Sequence, residues 1–329
     1  MLDLSAVLKN DSCPQETADA LKEFWDKALF HPWQEVNSRP RKSIRSQFVE
    51  LGWLLAGAPG ELEKQTLHQM GEIIETLHLG SLIIDDIQDN SDERRGLPSL
   101  HQMYGVPLAL NLGNFLYFQA LHLISQLPVS DHYKNKALLQ ITQTLRDAHL
   151  GQALDVSVAI DQIERSKIPK LVETSMRLKS GALVKLAIHL GALLNPDFEN
   201  HEALHCFGES YGSCLQKLDD VGNFTVGSSC KKHLEDLRLR RPSWIWSVFS
   251  QKATEPEWKF FNDAVQALPC CVKLQDFVNK TDLKQKAFEI AQTDLAETLA
   301  LLKFNLDLDE KTPAYQLAHQ LTVKLTHAY

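Results

Sequence analysis

The sequence holds no CxxC pair and no zinc-finger spacing, although six cysteines are present: Cys13, Cys206, Cys214, Cys230, Cys270 and Cys271. That pattern excludes a metal-finger module and a disulfide scaffold, and it predicts a reducing, cytoplasmic setting. Basic charge is in deficit. With 34 Lys and Arg against 42 Asp and Glu the formal net charge is -8, which excludes a general nucleic-acid binder, because such domains carry a net basic field. Any anion site has to be built locally. Long apolar runs are missing too: the most apolar stretch, Ala182 to Leu194, is too short for a bilayer and is interrupted by Lys185 and His189, so a core helix and no membrane span is expected. The Met1 end lacks the basic-then-apolar pattern of a signal peptide. Low-complexity tracts, solenoid or propeller repeats and a Pro/Gly-rich linker are also lacking, which leaves one domain over residues 1–329 as the expectation.

What is present is helical periodicity. In ETADALKEFWDKALF, residues 16–30, Ala18, Leu21, Trp25, Ala28 and Leu29 share a face, and Thr17 or Glu16 can open the turn. LKQKAFEIAQTDLAETLALLKF repeats the pattern through Ala287, Ile290, Ala291, Leu295, Leu299 and Leu302. Breaks are predicted at Ala58-Pro59-Gly60, Leu127-Pro128, Asn195-Pro196-Asp197, Gly222 to Ser229 and Glu255-Pro256. Nothing alternates at period two for long enough to make a sheet, so the fold class is all-α, a bundle with long core helices. His149, His189 and His205 stand singly on helical faces, where histidine is ordinarily a core or surface residue rather than a ligand.

Chemistry concentrates in SLIIDDIQDNSDERRG, residues 81–96. The spacing predicts one helix from Ile73 to Asp89, which puts Asp85 and Asp89 one turn apart on nearly the same face with Asp86 beside them. Carboxylates this close repel one another. One reading is the solvated end of a helix. The other is a Mg²⁺ site, since magnesium takes one or two carboxylates and leaves its other positions to water and a substrate phosphate. Downstream, YGSCLQKLDDVGNF repeats the spacing with Asp219, Asp220 and Asn223. Two such turns facing one another across a bundle can bridge a diphosphate through metal ions. Positive charge follows the same logic: RPRKSIR gathers Arg39, Arg41, Lys42 and Arg45, and Arg94 and Arg95 follow the first acidic turn. Such a run ordinarily makes a surface patch; the alternative is a phosphate grip, because guanidinium forks bind phosphate oxygens bidentately. The apolar residues upstream of Asp85 then wall a cavity for a hydrocarbon tail.

These strings resemble the trans-isoprenyl diphosphate synthases, and SLIIDDIQDNSDERRGLPSLHQMYGVPLALNLGNFLYF most resembles the geranylgeranyl diphosphate synthases of eukaryotic type. The resemblance runs from Arg39 to Ser243. It implies an isoprenoid-synthase bundle with a central apolar cavity, several Mg²⁺ ions bound with substrate, and a homodimer. Asp85, Asp89 and Asp219 are the implied metal ligands, with Asp86 and Asp220 among the catalytic carboxylates. Lys42 and Arg45 match the basic KxxR that binds isopentenyl diphosphate, although Arg41 stands where the family usually has Gly; His78 and Arg95 are implied on the same substrate. Arg94, Lys179, Ser180 and Gln216 are implied on the allylic diphosphate, Lys179 and Ser180 through LKSGAL, which resembles the family's KTGGL. Asn223 makes the second turn the DDxxN variant, so Asp219 and Asp220 carry the metal there. Lys231 falls near a third-metal-loop lysine, and Arg241 stands where GK is usual.

The chemistry so implied is head-to-tail elongation: diphosphate leaves the allylic substrate, the double bond of isopentenyl diphosphate attacks the cation, and a proton is lost to the released diphosphate. No side chain acts as nucleophile. Electrostatic stabilisation of the leaving group and exclusion of water carry the catalysis. Gly80 and Ser81, one turn before Asp85, are small where short-chain synthases often place aromatics, and Tyr117 and Phe118 are expected to close the shaft lower down, giving a geranylgeranyl product first, with farnesyl and longer chains behind it. Core aromatics are an equal reading of that pair. A terpene cyclase of the same fold is the runner-up, disfavoured by the retained Lys42, Arg45, His78 and Arg95; a non-catalytic subunit of a heteromeric synthase ranks lower, since the first acidic motif is intact.

Overall fold

The computed structural model describes residues 14–40, 44–57, 64–157, 159–224 and 234–327. Regular structure among them is helical apart from one hairpin. In chain order the α-helices are α1 (Gln15–Trp25), α2 (His31–Ser38), α3 (Ile44–Leu55), α4 (Lys64–Asp89), α5 (Leu100–Tyr104), α6 (Val106–Gln126), α7 (Asp131–Ser157), α8 (Ile168–Met176), α9 (Ala182–Ala192), α10 (His201–Asn223), α11 (Glu235–Leu239), α12 (Trp244–Lys252), α13 (Glu255–Gln266), α14 (Val272–Lys280), α15 (Leu283–Asn305) and α16 (Pro313–Thr326). The hairpin pairs β1 (Glu93–Arg94) antiparallel with β2 (Leu97–Pro98). The all-α expectation holds. No helix among the described residues is long and apolar enough to cross a membrane.

Contacts divide the chain into two compact units, split within α4 between Glu75 and Thr76 and within α6 between Ala120 and Leu121. The described part of the first lies in residues 14–40 and 76–120, and the second takes in the rest. In the first unit Phe30, Trp33 and Val36 bury against Leu79 and Ile83 of α4 and Leu112 and Leu116 of α6. The face read from residues 16–30 is correct only at its end. Leu21 is 40% exposed, while Trp25 and Leu29 pack against the core. The cause is a π-helical turn, Asp26–Phe30, joining α1 to α2: its extra residue rotates the apolar stripe, so the buried positions continue as Phe30, Trp33 and Val36.

In the second unit α9 is the core helix its composition predicted, with Leu186 to Ala192 all buried. It crosses α3 so closely that a Cβ on Gly191 would lie 1.9 Å from the Val49 carbonyl oxygen. A second cluster gathers Trp246 and Phe249 of α12, Phe261 of α13 and Phe277 of α14, with edge-on ring pairs at 4.7 Å (Trp246–Phe261) and 5.0 Å (Phe249–Phe261). The predicted breaks coincide with element ends. Pro256 sits in the first turn of α13 behind a Thr254–Glu257 capping box, and α6 ends at Gln126, one residue before Leu127-Pro128. Ala58-Pro59-Gly60 and Thr225 to Ser229 lie outside the described residues.

The lone histidines are structural. His205 Nε2 and His189 Nδ1 share a hydrogen bond of 2.8 Å, and His149 Nδ1 meets the Leu145 carbonyl at 2.7 Å. Burial pushes His189 down to about 3, helped by His205, His201, Lys136 and Lys185. The folded value is thus below that of the unfolded chain, so this contribution to stability is complete above about pH 6.5 and is lost as pH falls below it. His189→Gln is expected to make the loss of unfolding free energy between pH 7 and pH 5 smaller by about 2 kcal/mol, measured by urea titration at each pH.

Candidate active site

The last turns of α4 carry Asp85, Asp86 and Asp89. This is the wrong end of a helix for negative charge: the macrodipole places about half a negative charge there, and each carboxylate nearby costs on the order of 0.3–1 kcal/mol. Asp86 meets this cost with a partner from further along the chain. Asp86 is 4% exposed, accepts a 2.7 Å hydrogen bond from Arg94 Nε and makes a second, short contact with Arg94 Nη2. Burial raises the Asp86 pKa, and the Arg94 guanidinium opposes that shift. Asp85 and Asp89 remain partly exposed. The helix stops directly after them because Asn90 takes a left-handed conformation (φ 51°), with Ser91 N–H donating to the Asp86 carbonyl at 2.9 Å and Asn90 N–H to that of Ile87 at 3.3 Å; these are the bonds of a Schellman cap.

Beyond the cap the chain makes the hairpin. Arg95 and Gly96 occupy its turn with φ of 58° and 80°, as a two-residue type I′ turn requires. Glycine adopts that conformation freely, but on Arg95 it costs on the order of 1–2 kcal/mol. Arg95 is exposed and His78 half-buried. Ser81, also half-buried, donates its hydroxyl to the His78 carbonyl at 2.8 Å. Two chain-length residues sit differently from expectation. Gly80 opens no passage: a Cβ there would lie 2.9 Å from the Gly113 carbonyl oxygen and 3.1 Å from the Leu116 Cβ, so its smallness is used by the crossing of α4 and α6. Phe118 is 70% exposed and closes nothing within its unit. Tyr117 is the inward member of the pair, held up to about 12 by burial and by the nearby Asp85 carboxylate.

In the second unit Lys179 and Ser180 lie on a π-helical turn, Arg177–Gly181, between α8 and α9, a widened turn of the kind that recurs at functional sites. Lys179 Nζ binds Asp155 Oδ2 of α7 at 2.7 Å, and Arg241 Nη1 donates to the Asp155 carbonyl oxygen at 3.3 Å. The fold therefore brings Lys179 and Arg241 together on one residue that the sequence reading missed. Ser180 Oγ donates to Gln216 Oε1 at 2.7 Å, Gln216 Nε2 to Asp220 Oδ1 at 2.8 Å, and Trp244 N–H to Asp220 Oδ2 at 2.7 Å. Asp220 is 4% exposed, and burial, with Asp236 and Asp219 nearby, drives its pKa well up. Its oxygens serve Gln216 and Trp244, while Asp219 of the same pair is partly exposed and Asn223 is exposed. Arg45, in the first turn of α3, is half-buried. Arg41, Lys42 and Lys231 lie outside the described residues.

Arg39 departs most from its reading as part of a phosphate-gripping patch. It is 5% exposed and spends its guanidinium on protein acceptors, namely the carbonyls of Pro98 (2.9 Å) and Arg94 (3.3 Å) and the Glu35 carboxylate (3.3 Å). As for a metal, the donors that stay partly exposed are carboxylate oxygens one helical turn apart, and the described His, Cys, Asp and Glu side chains form no cage of three or more. Hard oxygens in an incomplete set suit Mg²⁺, which leaves positions for water and phosphate.

Helical frame and acidic helix ends together are those of an isoprenoid-synthase-type bundle. The sequence profile of the polyprenyl synthetase family matches residues 26–280, and the chain belongs to that family. Geranylgeranyl pyrophosphate synthase 2 of Zymoseptoria tritici is 32% identical over 220 residues, which are 64% of this chain and 61% of that protein, so this match spans less than two thirds of the relative. Geranylgeranyl pyrophosphate synthase of Mucor circinelloides f. lusitanicus is 34% identical over 283 residues, covering 84% of this chain and 88% of that protein. The crystal structure of polyprenyl synthase from Caulobacter crescentus CB15, complexed with calcium and isoprenyl diphosphate, aligns with a TM-score of 0.74 at 17% identity, over 98% of this chain and 92% of that one. That last likeness is one of fold.

If Asp85 and Asp89 take up a divalent cation, Mg²⁺ with inorganic diphosphate is expected to raise the thermal midpoint by a few degrees at saturation, a gain of about 2.7 kcal/mol when ligand reaches about 100 times its Kd. Asp85→Asn with Asp89→Asn is expected to remove the shift, read by calorimetry with and without the ion.

Proposed function

We propose that the protein is a trans-prenyltransferase that joins isopentenyl diphosphate head-to-tail to an allylic diphosphate, with geranylgeranyl diphosphate as product. The observation that carries this reading is the pair of acidic helix ends. In each, the second aspartate is buried and occupied by protein donors, while the first stays partly exposed where the helix dipole adds to its negative field. Such carboxylates favour cation uptake. The two relatives carry the name geranylgeranyl pyrophosphate synthase, and the Caulobacter protein holds calcium and isoprenyl diphosphate.

On this reading Asp85 and Asp89 in the first unit, and Asp219 in the second, hold Mg²⁺, which when bound supplies positive charge to a leaving diphosphate. Arg94 keeps Asp86 neutralised and offers the remainder of its guanidinium to the allylic diphosphate. Lys179 is held by Asp155 and Ser180 by Gln216, so both are presented from a fixed backbone, and both are assigned to the allylic diphosphate. Lys42, Arg45, His78 and Arg95 are assigned to isopentenyl diphosphate, and Arg241 and Lys231 to the allylic partner. Ionisation breaks the allylic C–O bond, a C–C bond forms to the alkene of isopentenyl diphosphate, and the proton lost goes to the departed diphosphate. None of these steps requires a protein nucleophile; preorganised charge and a dry cavity lower the barrier.

Ser81 remains the candidate for setting chain length, with Tyr117 below it. A homodimer is the assembly we assign, with the exposed apolar residues Val106, Leu110 and Phe118 of α6 as its surface, and the cytoplasm the compartment. Cyclase and non-catalytic readings are not favoured, given the family and the intact first acidic turn.

The direct test is incubation with Mg²⁺, labelled isopentenyl diphosphate and each allylic partner in turn, followed by chromatography of the dephosphorylated products. Asp85→Ala is expected to lower kcat by at least about 10³-fold with an unchanged circular dichroism spectrum; normal turnover would refute the metal assignment. Ser81→Phe is expected to shorten the product by at least one isoprene unit, and an unchanged product spectrum would place the shaft elsewhere.

A further inference from the structure

The hairpin between α4 and α5 is too small to hold its own shape. Each strand has two residues, and a two-stranded ribbon is marginal in water even at greater length. Its turn also holds Arg95 in a conformation that L side chains resist, and strained residues persist only where their surroundings over-determine them. One side chain grips both strands. Arg39 Nη1 donates to the Arg94 carbonyl on β1 at 3.3 Å, and Nη2 to the Pro98 carbonyl on β2 at 2.9 Å. Nη2 also reaches Glu35 Oε1 at 3.3 Å and Met103 Sδ at 3.4 Å, which ties the grip to α2 on one side and α5 on the other. Arg39, Asp86, Arg94 and Arg95 line one small cavity with Leu79 and Ile83.

We propose that Arg39 is a positioning residue: buried and bonded to the backbone, it fixes the hairpin so that the guanidinium groups of Arg94 and Arg95 are aimed before a diphosphate arrives. Arg94 is thereby held at two points, its carbonyl on Arg39 and its side chain on Asp86. The role needs arginine, because only a planar fork reaches two carbonyls from one rigid group, whereas an ammonium is a single point of donation. Glu35 balances the buried charge through Nη2, the nitrogen that also reaches Pro98 and Met103.

This inference rests on the reading of Arg94 and Arg95 as diphosphate contacts, and the test separates the two. In the full-length protein Arg39→Lys keeps the charge and loses the fork. It is expected to raise KM for both diphosphate substrates about tenfold while kcat stays within about threefold, as misplacement of binding groups does. Arg95→Met serves as reference, with a raised KM for isopentenyl diphosphate. In the double variant the further effect of Arg39→Lys on that KM is expected to fall below about twofold, because no guanidinium at residue 95 is left to aim.

Multiplicative fold-changes overturn the positioning role, as does an unchanged KM in Arg39→Lys beside a raised one in Arg95→Met. An unchanged KM in Arg95→Met overturns the diphosphate reading instead; amide exchange at residues 93–97, expected to be faster in Arg39→Lys, then still reports whether Arg39 holds the hairpin, and unaltered exchange overturns it. Should Arg39→Lys not fold, Glu35→Gln, which loosens the guanidinium from its partly exposed side, is expected to raise the same KM about threefold. No rise there overturns the proposal.

Discussion

Carboxylates at the carbonyl end of a helix are the constraint around which this protein is arranged. Asp85, Asp86 and Asp89 close α4, and Asp219 and Asp220 close α10, so side-chain charge and backbone dipole repel at both places. Each end is relieved in its own way. Asp86 receives a guanidinium from a loop only a few residues on, which keeps it compatible with burial. Asp220 receives amide and backbone N–H donors and, among the described residues, no cationic hydrogen-bond partner, so burial dominates and its pKa rises. At each end a further carboxylate stays partly exposed in the same negative field, Asp85 and Asp89 on α4 and Asp219 on α10.

Irregular backbone gathers around the same residues. Lys179 and Ser180 ride a π-helical turn, and Arg95 sits at a left-handed position of a hairpin turn. Both are conformations that regular helices and strands avoid, and both are braced by partly buried hydrogen bonds, from Asp155 and Gln216 in one case and from Arg39 to the hairpin carbonyls in the other. Bracing of this kind reduces the entropy that a long cationic side chain loses on meeting a phosphate. Arg39 shows how far composition can mislead. In sequence it is one cation of a basic run, yet it is nearly fully buried and faces backbone oxygens rather than solvent.

Much of the fold was legible because it depends on local rules. Apolar residues at helical spacing marked α9 and α15, proline marked the start of α13, and the run from Ile73 to Asp89 is the greater part of α4. The misreadings share a cause. The stripe from Ala18 to Leu29 assumed an uninterrupted 3.6-residue period, and a π turn broke it. Gly80 was read as open space, but a glycine is as often the place where a second helix comes near, and α6 does so there. Phe118 was read as a floor, yet its ring faces outward.

The sequence by itself determined the helical class, the element boundaries near proline, and the positions of the paired aspartates and arginines, because each depends on residue type and spacing within a few turns. Only the tertiary structure decided what each of those charges meets. Asp86 is occupied by Arg94, Asp220 by Trp244 and Gln216, Lys179 by Asp155, and Arg39 by the hairpin. Several of these partners lie tens of residues away along the chain, and a charged group's environment is set by whichever neighbours packing delivers to it, which no local spacing encodes.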